Sequence, residues 1–93
     1  MIDKKRIFTR CADVIVREMD GGSVLLNMDT GVYYSLNETG TELWSALDGK
    51  RSVGEIIEMI CDSYDAAPQT AGADVVELLE DLEGEGLVRA LEP

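Results

Sequence analysis

At Asn37 the spacing of apolar residues changes from every second position to about every 3.6, and this change limits what the chain can fold into. Before it, "DVIVREMDGGSVLLNMDTGVYYSLN" (Asp13 to Asn37) holds three short runs rich in β-branched and aromatic residues, separated by "DGG" and "DTG". Such runs, bounded by turn residues, predict a meander of two hairpins. In the first run Val14 and Val16 share one face and Ile15, Arg17 and Met19 the other; in the second, Val24, Leu26 and Met28 oppose Leu25 and Asn27. One face of each strand is therefore free to join a core. Gly21 and Gly22 suit a tight turn, Gly31 suits a turn closed by a bulge, and the third run, Val32 to Leu36, pairs with the second and ends at Asn37.

Beyond Asn37 the pattern is helical. "TGTE" (Thr39 to Glu42) and "SVGE" (Ser52 to Glu55) have the S/T-x-x-E spacing in which a hydroxyl and a carboxylate satisfy free backbone N–H groups at a helix start. Leu43, Trp44 and Leu47 supply the inward face of a short first helix, which "DGK" at Asp48 to Lys50 is expected to terminate through Gly49. Val53, Ile56, Ile57, Ile60 and Tyr64 form a stripe for a second helix. "DAAPQTAGAD" reads as a loop leading into a third helix, whose stripe is Val75, Leu78, Leu79 and Leu82 and whose stop is Gly84 and Gly86. "LVRAL" leaves as an extended tail that returns Leu87 and Val88 to the core. The expected fold is an α+β domain, a three-stranded antiparallel sheet followed by three helices, winged-helix-like with its sheet placed first. Residues 1–93 make one domain, since a chain of this length supports a single modest core.

Charge narrows the choice of partner. Nineteen acidic residues against eight basic ones give a net charge of -11, which repels a phosphate backbone, so nucleic acid is not expected as a partner. Lys4, Lys5, Arg6, Arg10 and Arg17 crowd the start, whereas from Ser52 onward Arg89 is the single basic residue. A cationic or neutral peptide fits the second half better. No apolar run approaches the roughly 20 residues that span a bilayer, and "MIDKKRIFTRCADV" lacks an apolar signal core. The chain is expected to be soluble and cytoplasmic, with no membrane partner.

Catalytic and cofactor chemistry find no foothold in the residues. Cys11 and Cys61 are fifty positions apart and the chain has no histidine, so neither a CxxC pair nor a Cys/His zinc site can be written, and two free thiols are expected. A thiol hydrolase or transferase would lack its usual base. "DLEGEG" (Asp81 to Gly86) lacks the ligand spacing of an EF-hand, and no glycine pair belongs to a phosphate loop, so no metal or cofactor is expected. Glu77, Glu80, Asp81 and Glu83 read as the solvated face of the third helix. A winged-helix DNA-binding regulator is the alternative reading, but its third helix would present Asp74, Glu77, Glu80 and Asp81 to phosphates.

The third run closes the meander, so one of its sides has no partner in that sheet, and an open edge must be blunted or used. "VYYSL" has no lysine, proline or charge to discourage a further strand. Either the third helix or the tail covers this edge, or an extended peptide adds as a fourth strand with its side chains in the crevice beside the third helix. Tyr33 and Tyr34 fall on opposite faces, Tyr34 with Val32 and Leu36, which leaves open which ring meets a peptide.

"VLLNMDTGVYYSLNETGTELWSALDGKRSVGEII" (Val24 to Ile57) resembles the PqqD-like family, named for coenzyme PQQ synthesis protein D. "DVVELLEDLEGEGLV" also matches that family's closing helix and tail, and the resemblance covers roughly Asp13 to Val88. It implies a non-catalytic peptide-recognition domain of three strands and three helices. Such a domain binds the leader of a ribosomally made precursor peptide and presents the core part to a maturation enzyme, often a radical S-adenosylmethionine (SAM) protein, as in PQQ biosynthesis. The same family serves lasso-peptide and other pathways. Carried over by position, the resemblance places the leader against Val32, Tyr33, Tyr34 and Ser35 on the strand and Val75, Val76, Leu79 and Glu80 on the helix. "SLNETG" itself is read as structural: Leu36 in the core, Asn37 or Thr39 as helix cap, and Gly40 permitting close packing.

Overall fold

In the computed structural model, which describes residues 3–64 and 67–91, the chain runs β1 (Ile7–Arg10), β2 (Val14–Met19), β3 (Gly22–Asn27), β4 (Tyr33–Asn37), α1 (Glu38–Ala46), β5 (Asp48–Ser52), α2 (Val53–Tyr64), α3 (Pro68–Gly84) and β6 (Val88–Leu91). The predicted meander is β2-β3-β4, antiparallel throughout. Its register sets Leu25 between Val16 and Tyr34, and Leu26 between Ile15 and Tyr33. The alternation sorts these two rows: Leu25 is fully buried, while Ile15 on the other face is 53% exposed.

The expected single sheet is corrected to two. A second three-stranded antiparallel sheet has the order β5-β1-β6, with Ile7 opposite Ser52 on one side and Leu91 on the other. Strands therefore precede, interrupt and follow the helices, so the fold is α+β with two sheets and three helices. "DGK" was expected only to end the first helix, yet with Arg51 and Ser52 it forms β5, because β1 lies beside it and takes its backbone hydrogen bonds. The tail pairs with β1 as β6, and Leu87 and Val88 are buried as expected. The tail therefore does not cover β4.

Each helix start has a local cause. Of the two expected caps, Asn37 and Thr39, it is Asn37 that caps α1, its side-chain oxygen accepting from the Gly40 N–H at 2.8 Å, so the start lies upstream of the "TGTE" box. Gly40 permits this close approach: a Cβ there would lie 3.1 Å from a Leu36 methyl and 3.3 Å from the Asn37 oxygen. The second box forms as read. Ser52 Oγ accepts from the Glu55 N–H at 3.2 Å, and Glu55 Oε1 accepts from the Ser52 N–H at 3.0 Å. α3 is longer than expected and begins at Pro68, a residue whose fixed φ suits a first turn. Asp65 and Ala66, at the front of the expected loop, lie outside the described residues.

The core lies between the sheets and the helices. Phe8 of β1, Leu25 and Leu36 of the meander, Leu43 and Trp44 of α1, Ile56 and Ile60 of α2, and Val75, Leu79 and Leu82 of α3 form one buried cluster. Both cysteines are free and half-buried.

Candidate peptide-binding groove

The hydrogen bonds at the ends of β3 fix which backbone groups of β4 are spoken for. Asn27 donates its N–H to the Val32 carbonyl at 2.9 Å, and Met28 donates to the Asp13 carbonyl at 2.8 Å. Bonded and non-bonded pairs alternate along an antiparallel ladder. With Leu25 opposite Tyr34 and Val24 opposite Ser35, the backbones of Tyr34 and Leu36 turn toward β3, while those of Tyr33 and Ser35 turn to the far side. Among the described residues no strand pairs with that side. The opposite edge of the sheet, β2, carries Arg17 and Glu18, charges of the kind that blunt an edge.

Beside the open edge runs a groove of about 630 Å³ between β4 and α3. Tyr34, Ser35 and Leu36 form one wall; Asp74, Val75, Glu77, Leu78 and Asp81 form the other. Thr39 and Leu43 of α1 and Ile60 and Tyr64 of α2 also line it. Leu36, Leu43, Ile60 and Val75 are buried core residues that form an apolar floor, and both the size and the mixed lining suit a ligand site.

Of the eight residues placed at the site from sequence, the structure brings three to the groove: Tyr34, Ser35 and Val75. Val32, half-buried, immediately precedes β4. Tyr33 is 70% exposed and its ring stands on the outer face of the sheet, so Tyr34 is the ring that meets the groove. On α3, Leu79 is fully buried in the core, and the half-buried Val76 and exposed Glu80 do not line the groove. The helix wall is instead made largely by Asp74, Glu77, Leu78 and Asp81, which were not among those eight. They share one side of α3 by helical spacing, a pattern visible in the sequence, but the rotation of that side toward β4 is set by packing.

Asn27 fixes the geometry of one end. It is buried, and its side-chain NH2 donates to the carbonyls of Glu85 at 3.3 Å and Gly86 at 3.2 Å, just beyond α3. Its side-chain oxygen accepts from the N–H groups of Asp29 at 2.9 Å and Thr30 at 3.4 Å in the β3-β4 turn. One side chain thus ties the turn that launches β4 to the end of α3.

Across the groove, the Tyr34 hydroxyl donates to Asp81 Oδ2 at 3.4 Å. The Tyr34 phenol is pushed above its ordinary 10.0 by burial first, then by the charge and hydrogen bond of Asp81 and the charges of Glu85 and Glu77. The wall facing it is negative in composition, with Asp74, Glu77 and Asp81 lining it.

Residues 22–88 match the family model "Coenzyme PQQ synthesis protein D (PqqD)". The chain belongs to the PqqD family. Family membership makes it a non-catalytic peptide-binding domain, in keeping with an open strand edge beside a groove. A comparison with curated protein sequences found no match. Two solved structures resemble this PqqD-family chain over nearly their whole length. TbiB1 in complex with the TbiA(beta) leader peptide is 27% identical, with a TM-score of 0.79, covering 91% of this chain and 99% of that one. A lasso peptide synthetase B1 complexed with the leader peptide is 26% identical, with a TM-score of 0.75, covering 91% of this chain and 98% of that one.

Proposed function

We propose that this PqqD-family chain binds the leader of a ribosomally made precursor peptide as a strand added to β4, and presents the rest of the precursor to a maturation enzyme. The observation that carries this reading is the outward turn of the Tyr33 and Ser35 backbones beside the groove. Each can offer one N–H and one C=O to an extended partner. Alternate side chains of that partner would point toward the groove floor, where each well-buried apolar anchor contributes about 1.5–3 kcal/mol. Two or three such anchors give roughly 3–9 kcal/mol before ordering costs, so the backbone hydrogen bonds of the added strand are needed as well to reach micromolar affinity. The leader complexes formed by two chains of this fold support the same reading.

In this reading the pathway is PQQ biosynthesis, which the family's name supports, and the enzyme that receives the peptide is a radical SAM protein, as the sequence resemblance implies. A lasso-peptide pathway is the second reading, favoured by the name of the lasso peptide synthetase B1 relative. The two separate in a reconstituted reaction, according to which class of enzyme modifies its precursor faster when this chain is present.

The binding claim is tested by selecting a display library of random peptides on the full chain. Enriched peptides are then titrated against the native protein and against Ser35→Pro. Loss of binding in a variant that still melts cooperatively supports strand addition at β4. Unchanged binding contradicts it.

A further inference from the structure

We propose that the groove selects a leader segment carrying a lysine or arginine among apolar neighbours, the cation facing the carboxylates of Asp74, Glu77 and Asp81. This rests on the reading that a leader lies along β4, and it names the chemistry that leader must have.

The three carboxylates stand on the groove side of α3. No lysine or arginine lines the groove to neutralise them. All eight basic residues of the chain (Lys4, Lys5, Arg6, Arg10, Arg17, Lys50, Arg51 and Arg89) fall outside β4 and the three helices. Among the described residues the ion pair present, Arg51 with Asp48 at 3.5 Å, belongs to β5. The facing strand offers the Tyr34 hydroxyl, which one of these carboxylates already engages.

A charged wall above an apolar floor is a two-part demand on a ligand. A peptide strand beside β4 would alternate its side chains, so apolar residues can reach Leu36, Leu43 and Ile60 while a neighbouring long side chain lies along α3. Lysine and arginine meet both parts of the demand, since their aliphatic stems cover apolar surface such as Leu78 and their charged heads remain at the partly wet rim. An acidic residue at the same place would meet three like charges in a protein of net charge -11. The groove therefore discriminates by repulsion as well as attraction.

The test uses peptides selected on the full chain from the random display library. Those that slow amide exchange at Tyr33 and Ser35 are synthesised with each basic position changed to Ala and to Glu. The wild-type chain should lose about fivefold to tenfold in affinity for the Ala peptide and more for the Glu peptide, with the preference shrinking as salt rises from about 0.05 to about 0.5 M. The triple variant Asp74→Asn, Glu77→Gln, Asp81→Asn should bind the Lys, Ala and Glu peptides about equally. If that variant does not fold, the three single substitutions and the salt series read the same preference. Peptides that protect Tyr33 and Ser35 but show no preference for a cation, or keep it in the variants, would overturn this inference and leave strand addition standing. If no selected peptide protects Tyr33 and Ser35, the β4 site itself fails and the inference falls with it.

Discussion

The Tyr34 hydroxyl donates to Asp81 Oδ2 at 3.4 Å, joining the strand wall of the groove to its helix wall. Burial and the carboxylates of α3 hold the Tyr34 proton more tightly in the folded chain than in the unfolded one. Below the ordinary tyrosine value of 10.0 both states keep the proton, and this group gives stability no pH dependence. Above it the unfolded chain ionises first, so stability is predicted to fall as pH rises until the folded group also ionises. A near-ultraviolet titration, with Tyr34→Phe as the blank, should place the Tyr34 midpoint above 10.0. Asp81→Asn should lower that midpoint without restoring the ordinary value, because burial, the largest cause, remains.

Asn27 has four partners, two in the β3-β4 turn and two just past α3. Asn27→Ala leaves two N–H groups and two carbonyls without those partners, and a loss of about 2–3 kcal/mol is expected in chemical denaturation. Because the same side chain ties one end of the groove together, peptide affinity should fall even under conditions where the variant is fully folded.

Gly22 lies against the backbone of β4, and a Cβ there would run into the Leu36 carbonyl oxygen. That obstacle is main chain held in a ladder and cannot rotate aside. Gly22→Ala is expected to cost about 1–3 kcal/mol in stability, read as a lowered denaturation midpoint.

The two sides of β4 predict opposite outcomes for proline. Tyr34→Pro removes an N–H that the ladder alternation aims at Leu25, so the thermal melt should drop sharply. Ser35→Pro removes an N–H that turns to the open side, where proline is tolerated on an edge strand. It should lower the melting temperature less and reduce peptide binding more.

These contrasts also show what the sequence could carry. The meander and the Ser52–Glu55 box were legible because their causes are local: β-branched alternation, glycine turns and a three-residue spacing. β5 was not legible, since "DGKRS" has neither the alternation nor the apolar content of a strand and becomes one through pairing with β1. In the groove, alternation from the buried Leu36 places Tyr34 inward and Tyr33 outward. On α3 the charges that read as a solvated face include Glu77 and Asp81, which line the groove. Which side of a helix meets a distant strand is decided by packing, and no local spacing encodes it.

The central claim is that β4 receives a peptide strand through the backbones of Tyr33 and Ser35, and amide hydrogen exchange resolved by residue tests it most directly. In the free chain, Tyr34 and Leu36, whose N–H groups turn to β3, should exchange slowly and Tyr33 and Ser35 quickly. With a saturating peptide selected on the native protein, Tyr33 and Ser35 should slow to the range of their neighbours. A peptide that binds tightly while Tyr33 and Ser35 still exchange at the free-chain rate would contradict the account.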